Sequence, residues 1–327
     1  MPGAMNFAFD AFVTEIVADG DRAAFALGEG IIAWDDGARI EAHDGAILCA
    51  VGHPSGAGVI TGGDDGRLVW SRDGEVTVLA EIPRRWIDAV AASPASGLIA
   101  FSAGREARVL DSKDASFLRV FPHEASVAGL AFDPKGRRLA TATYGGAALW
   151  YARIAEQKPV MLRWAGSHVG LVFSPDGRFL ISSMQEAALH GWRIADAKDM
   201  RMGGYPAKVR SLRFVGDTWL ATSGANGAVL WPFVGANGPM GKQAMEIGWD
   251  QSALVTCVAA DPGGDHVVVG LDDGRVWACH LASERRVTLR AGLEKTAPIS
   301  ALAVLSGGRV AWGDETGGAG ILDLDPA

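Results

Sequence analysis

The sequence predicts an all-β fold made of repeated units of four short antiparallel strands. Three observations support this: an excess of glycine, a turn motif that recurs along the chain, and tryptophans that recur at a nearly constant spacing. Of 327 residues, 43 are glycine and 14 are proline, and this glycine content is well above the ~7% that is usual in globular domains. Such a composition is typical of a chain with many tight turns.

The turn motif joins two segments with strand character. In it, proline fixes φ for the first corner of a turn, and glycine tolerates the backbone conformation at the exit. Residues 127–131 precede one such turn and residues 138–141 follow it, both rich in apolar residues. The motif therefore predicts hairpins of short strands. It occurs at 92–97, 132–136, 173–177 and 260–264.

A second recurring position, at the end of a third strand, sets the length of the unit. Tryptophan or a smaller apolar residue fills it at intervals of 36 to 47 residues. A four-stranded unit of about 40–45 residues is the blade of a β-propeller, so we predict a single closed propeller domain over residues 1–327. The spacing favours eight blades, with seven as the alternative. The position holds Trp34, Trp70, Leu110, Trp150, Trp192, Trp231, Ala278 and Leu322.

The two ends of the chain are predicted to meet in one blade. The last repeat runs out of chain after its third strand, at 320–324. That strand would leave an open edge, and proteins usually cover such edges. The apolar segment Phe7-Ala8-Phe9, ahead of the first repeat, is able to supply the missing strand and close the ring.

These repeats resemble those of the WD-repeat β-propeller family over essentially the whole chain. The second repeat carries the family's set of a histidine, a hydroxyl, a turn aspartate and a tryptophan. The fourth repeat departs from it at Gly145, where an aspartate would stand. The resemblance implies a structural hydrogen-bond network, and by analogy of fold a protein-interaction function. The set in the second repeat is His43, Thr61, Asp65 and Trp70.

A hydroxyl residue stands nine positions before the tryptophan in four of the five tryptophan repeats. A buried indole N–H needs an acceptor, so this pairing predicts a hydrogen bond from the indole to the hydroxyl on the adjacent strand. The pairs are Thr61 with Trp70, Thr141 with Trp150, Ser183 with Trp192, and Thr222 with Trp231.

Charge and composition exclude several function classes. With 30 Lys+Arg and 38 Asp+Glu, the net charge of −8 argues against binding nucleic acid or an anionic membrane. No apolar run reaches the 18 residues of a membrane span, and the first ten residues do not form a secretory signal. Cys49, Cys257 and Cys279 are isolated and odd in number, which predicts neither a disulfide framework nor a zinc site. We expect a cytoplasmic monomer without cofactor or metal, and the high usage of Ala, Gly and Arg indicates a GC-rich bacterial genome.

The predicted binding surface lies in loops that a propeller brings to one face. Loops on a rigid scaffold commonly carry function, and Trp86 directly follows Arg84 and Arg85. Tryptophan and arginine dominate binding hot spots, so a protein or peptide partner with an acidic segment is expected here. The surface comprises Arg84, Arg85, Trp86, Arg105, Tyr144, Met184, Lys208 and Arg210.

The inner strands give no sign of an active site. Positions expected to line the central channel are small and uncharged, whereas an enzyme needs converging catalytic groups. A non-catalytic interaction scaffold is therefore favoured. Two alternatives remain open: a sugar- or small-ligand-binding propeller, and a metal-dependent hydrolase or lactonase using two or more of His43, His168, Asp64, Asp88 and Glu186. The channel positions are Cys49, Ala89, Gly129, Gly170, Ser211, Thr256 and Ala301.

Overall fold

The structure is a computed structural model that describes residues 5–261, 264–292 and 297–324. Within these ranges the chain forms thirty β-strands and no helix. The predicted turns form where expected: Gly136 and Gly177 adopt φ values of 63° and 70°, the left-handed conformation that glycine tolerates. Two residues of the fourth predicted turn, Pro262 and Gly263, lie outside the described ranges.

The strands of the first half of the chain form three four-stranded antiparallel sheets and begin a fourth sheet. The first contains β2 (Val13–Asp19), β3 (Arg22–Leu27), β4 (Ile31–Trp34) and β5 (Arg39–Glu41). The second contains β6 (Ile47–Gly52), β7 (Val59–Gly63), β8 (Arg67–Arg72) and β9 (Glu75–Glu81). The third contains β10 (Val90–Ser93), β11 (Leu98–Ala103), β12 (Glu106–Asp111) and β13 (Asp114–Pro122).

The fourth sheet is the largest and has six strands. It contains β14 (Gly129–Phe132), β15 (Arg138–Tyr151), β16 (Val160–Phe173), β17 (Phe179–Met184), β18 (Leu189–Arg193) and β19 (Lys198–Met202). Both β15 and β16 have 14 residues. Their pairing shifts register between Tyr144 and Gly146, and that of β16 with β17 shifts between His168 and Leu171.

Two further four-stranded sheets complete the second half of the chain. One contains β20 (Leu212–Val215), β21 (Trp219–Thr222), β22 (Ala228–Pro232) and β23 (Met245–Ile247). The other contains β24 (Val255–Ala260), β25 (His266–Leu271), β26 (Val276–His280) and β27 (Arg285–Arg290).

The last sheet joins the two ends of the chain, as predicted. It contains β28 (Ile299–Leu305), β29 (Arg309–Asp314), β30 (Gly318–Asp323) and, as its outer strand, β1 (Met5–Ala8). The register runs from Met5 opposite Ile321 to Ala8 opposite Gly318. Neighbouring sheets contact one another through their first strands, except that β16 and not β14 contacts β20, and contact between β2 and β28 closes the ring.

The eight blades favoured by the spacing are not supported by the sheet count, which is seven. The reason lies in the fourth sheet. Its long strands β15 and β16 carry the chain through the repeats of both Trp150 and Trp192, so the two repeats share one continuous hydrogen-bonded sheet. Spacing alone does not reveal such a junction, because it counts repeats and not hydrogen-bonded sheets.

The apolar core lies between adjacent sheets. One cluster packs Val17 and Trp34 of the first sheet against Ile47 and Val69 of the second, and another packs Phe25 of the first sheet against Ile321 of the last. Trp34, Trp150 and Trp192 are at most 5% exposed. The predicted tryptophan position therefore contributes to the core.

Candidate protein-binding site

The hydrogen-bond network of the second repeat holds in place the loop that leads into the second sheet. His43 Nε2 lies 2.8 Å from Thr61 Oγ1, and its Nδ1 lies 3.0 Å from Asp65 Oδ1. Burial alone would raise the pKa of Asp65, but hydrogen bonds from the Arg67 backbone and His43 outweigh burial and lower it. The indole of Trp70 donates elsewhere, to the Ala57 carbonyl at 3.0 Å.

The expected direct bonds from indole to hydroxyl are wrong in detail. The Trp231 indole donates to Tyr205 Oη at 2.7 Å, and Tyr205 Oη lies 2.8 Å from Thr222 Oγ1. Likewise the Trp150 indole lies 3.2 Å from His123 Nε2, and that nitrogen lies 2.8 Å from Thr141 Oγ1. An aromatic ring thus stands between donor and hydroxyl, since the hydroxyl is not opposite the tryptophan across the strand pair.

The repeat of Trp192 departs furthest from the expected network. Ser183 Oγ accepts from the Gly170 backbone, and neither Trp192 Nε1 nor the two ring nitrogens of His190 have a hydrogen-bond partner among the described residues. The Trp164 ring stacks on His190 with centroids 3.9 Å apart. Burial lowers the pKa of His190 to about 4, although Asp199 opposes this.

Because of the lowered pKa of His190, we expect the folded protein to lose stability on acidification. Its ordinary pKa is 6.5 and its folded pKa is about 4, so between these values the unfolded chain binds a proton that the folded chain does not. The free energy of unfolding should therefore fall by up to ~3 kcal/mol as pH drops through this window. Urea titrations at pH 7 and pH 4.5 measure it. His190→Phe, which cannot be protonated, should lose clearly less; an equal loss in both proteins would contradict the assignment.

The loop that carries Trp86 is anchored at both ends and strained in the middle. Arg85 N donates to Ile82 O at 3.2 Å, closing a tight turn, and Arg84 adopts a φ of 64°. Glycine is the usual residue at such a position, so an arginine there carries backbone strain. Ile87 N bonds to Gly63 O at 3.0 Å. The turn thereby presents both arginines and leaves Trp86 64% exposed.

A basic pocket of about 470 Å³ lies beside this loop. Arg85 comes from the loop, whereas Arg105 and Arg108 come from the turn and third strand of the next sheet. Glu106 pairs with Arg108 at 2.8 Å. None of the three arginines Arg84, Arg85 and Arg105 has an ion pair or side-chain hydrogen bond with any described residue. The pocket therefore carries uncompensated positive charge.

Gly104 allows Arg85 to enter the pocket. A Cβ atom at Gly104 would lie 2.6 Å from Arg85 Nη1, so the guanidinium passes directly over the glycine. Gly104 also accepts a hydrogen bond from Val127 N at 2.9 Å. Such bonds join the turn between the second and third strands to the loop that enters the following sheet, and so place both on one face.

The other four predicted surface residues do not belong to this cluster. Tyr144 is 73% exposed, at the bend within β15. Met184 is only 5% exposed, so its place on the surface is wrong; it packs beside Gly166. Lys208 Nζ donates to Gln185 Oε1 at 2.7 Å. Arg210 lines a cavity at the central channel.

The central channel is not uniformly neutral, contrary to the expectation from the sequence. Ser211, Thr256 and Ala301 line a cavity there as expected, but Glu15 and Arg213 line it too. Both residues could have been predicted from the sequence to face the channel, because alternate residues of a strand share a face. Glu15 is two positions beyond Val13, the same offset as the other channel positions, and Arg213 is two beyond Ser211.

Three of the five residues that a metal-dependent hydrolase would use, His43, His168 and Asp88, are held by separate partners. His168 Nδ1 lies 2.7 Å from Ser182 Oγ, and Asp88 accepts from Ser102 at 2.7 Å. Within the described ranges, no group of three or more His, Cys, Asp or Glu side chains is placed to hold a metal ion.

Comparisons with known proteins agree with this architecture. Residues 36–71 and 242–277 match the family model "WD domain, G-beta repeat". The computationally designed Ika8 protein is 17% identical, with 97% of each chain covered and a TM-score of 0.78. The structure of U3-55K is 18% identical, covering 85% of this chain and 95% of that one, with a TM-score of 0.62. At these identities the structural likeness shows the fold alone.

Fold and repeats together define the class of this protein. The closed ring of antiparallel sheets is a β-propeller, and its repeats include two that match the WD model. The chain is thus a β-propeller with two WD-type repeats, and propellers built from such repeats generally provide protein-interaction scaffolds and are usually non-catalytic. No curated protein matches the sequence significantly. The described part of the chain contains no helix able to span a membrane.

Proposed function

We propose that the protein binds an acidic segment of a protein partner through Trp86 and the arginines beside it. The observation that carries this proposal is the basic pocket in which Arg85 and Arg105 have no anionic partner among the described residues, next in the chain to the exposed Trp86. Carboxylates pair with arginine through short charge-assisted bonds. An aromatic residue that is exposed before binding gains by burial in the complex.

Strain and charge both support the assignment. The left-handed Arg84 costs the folded chain about 1 kcal/mol or more, and such outliers cluster at functional sites. The net charge of the whole chain is −8, which repels an acidic partner. The arginines beside Trp86 form a local positive region that attracts such a partner. Binding should therefore weaken as salt is raised.

The test is selection of short acidic peptides from a displayed library, followed by fluorescence anisotropy with the selected peptide. Trp86→Ala is expected to raise the Kd by about 30-fold, the effect of losing a hot spot worth ~2 kcal/mol. The double change Arg84→Ala with Arg85→Ala should do the same and should also flatten the salt dependence.

Matched controls separate the site from general surface effects. Trp249 is also exposed, at 54%, but lines a different cleft, so Trp249→Ala should leave the Kd unchanged. Arg163, an exposed residue of β16, provides the charge control as Arg163→Ala. If selection yields no acidic peptide, or if the Trp86 and Trp249 variants behave alike, the proposed site is wrong.

We also propose that the protein acts without catalysis, as a monomer in the cytoplasm. All three cysteines are free thiols, and Cys257 and Cys279 are buried. Burial raises the pKa of Cys257 to about 12, which keeps it a neutral thiol at physiological pH. Such thiols suit a reducing compartment. Light scattering that detected a stable dimer would contradict the proposed monomeric state.

For the ring itself we propose that the six-stranded sheet contains two blades, which would restore the count of eight. Ala152 N donates to Arg137 O at 3.0 Å, and Thr141 Oγ1 lies 3.3 Å from Ala148 O. These bonds fit a hairpin folded at Tyr144 inside β15. Ile194 N bonds to Arg178 O in the same way in the following repeat. A crystal structure with seven innermost strands around the channel would exclude this arrangement.

A further inference from the structure

A second site lies in the central channel, apart from the surface of Trp86. A cavity of about 190 Å³ is lined by β20, β24 and β28, with Glu15 from β2, Arg210 ahead of β20 and Glu315 after β29. This volume is several times the ~30 Å³ that one water molecule occupies, so the cavity has room for a small organic ligand. Because the walls come from several sheets, the cavity exists only in the closed ring.

Two hydroxyls of the cavity already donate hydrogen bonds to backbone carbonyls of the protein. Thr256 Oγ1 donates to Ile299 O at 2.6 Å, and Ser300 Oγ donates to Val13 O at 2.7 Å. Each bond ties one sheet to the next. With its single hydrogen used, each oxygen has only lone pairs to offer. This part of the cavity therefore accepts hydrogen bonds and suits a ligand that donates them.

Opposite charges face the cavity without pairing. Glu15 has no hydrogen bond or ion pair with the described residues, and the same holds for the remaining guanidinium N–H groups of Arg213 once Nη1 has donated to Leu212 O at 2.8 Å. Burial raises the pKa of Glu15, and the positive charge of Arg213 opposes that rise. A ligand that carries both signs of charge would pair with the two groups at once.

We propose that this channel cavity binds a small zwitterion, with an α-amino acid as the ligand class. The ammonium group would donate to Glu15 and to the Thr256 and Ser300 oxygens, while the carboxylate would accept from Arg213. Guanidinium and carboxylate match in a bidentate geometry. The cavity volume of about 190 Å³ favours a small amino acid such as glycine, alanine or serine.

Isothermal titration calorimetry of the full chain with L-alanine and glycine tests the proposal. Binding is expected for both, and acetate or methylammonium, each with only one of the two charges, should bind at least about tenfold more weakly. Glu15→Gln and Arg213→Gln should each weaken L-alanine binding at least about tenfold. Glu156→Gln and Arg163→Gln, on the exposed surface, serve as charge-matched controls and should have no effect.

Circular dichroism and the thermal midpoint check that each variant folds. Arg213 is exposed, so its replacement keeps the test valid even if the half-buried Glu15 tolerates no change. Absence of heat with every amino acid, or equal affinity in the Arg213 and Arg163 variants, would overturn the proposal. Neither result bears on the Trp86 surface, because the two sites share no residue.

Discussion

A protein lacking residues 1–9 is expected to lose about 5 kcal/mol of unfolding free energy, the largest effect that we predict. The deletion removes β1 and its four pairings with β30. It also removes Phe7 and Phe9, whose rings lie 5.7 and 5.5 Å from that of Phe25. Partly burying two phenylalanines contributes about 3 kcal/mol, and the lost strand hydrogen bonds together contribute about 2 kcal/mol. At ~2 °C per kcal/mol for a chain of this size, calorimetry should show a midpoint about 10 °C lower.

The deletion should also change the oligomeric state. Without β1, the edge of β30 is unpaired, and exposed edges recruit other chains. Light scattering should therefore detect association of the truncated protein. Val76→Ala with Val78→Ala is the control, since these residues of β9 are 43% and 49% exposed and do not lie in the sheet that joins the two ends of the chain. A truncated protein that stays monomeric with an unchanged midpoint would show that β1 does not hold the ring closed.

Much of the fold could be predicted from the sequence because local signals set it. The turn motif fixes where strands end, and the tryptophan position fixes the length of the repeat. The pairing of β1 with β30 followed from one missing strand and one spare apolar segment, Phe7-Ala8-Phe9. The continuity of β15 and β16 could not be predicted, because the bend at Tyr144 and Gly145 has the same glycine signal as any other turn.

The candidate site was less accessible from the sequence. Residues adjacent in the chain, such as Arg84, Arg85 and Trp86, are bound to lie together, and the predicted neighbour Arg105 does join them. Met184 was misplaced because a residue at the end of a strand points inward or outward according to twist and register, which the sequence does not set. The hydrogen-bond acceptors of the indoles were predicted wrongly for a similar reason. Tyr205 and His123 reach the indole nitrogens of Trp231 and Trp150 from another part of the blade.

Gly129→Ala is expected to destabilise the protein by about 3 kcal/mol, the second-largest predicted effect. Gly129 was expected in the channel wall merely as a small residue. In the structure, a Cβ atom at this position would lie 1.8 Å from the carbonyl oxygen of Val169. That oxygen belongs to backbone and cannot move alone, so β14 and β16 must separate. Overpacking of this kind typically costs 1–3 kcal/mol, and the close approach of another backbone is a known reason for glycine inside a strand.

The matched control is Gly52→Ala, since its Cβ atom would meet Val17 Cγ1 at 3.7 Å, an ordinary contact. Ala89 and Ala301 show that the equivalent place in other sheets accommodates a methyl group. The tight fit is therefore specific to the fourth sheet, where Gly170 is also crowded, with Ser183 Oγ 2.9 Å from its Cβ position. Urea unfolding of both variants measures the difference. Equal midpoints for Gly129→Ala and Gly52→Ala would mean that β14 and β16 are not packed backbone against backbone.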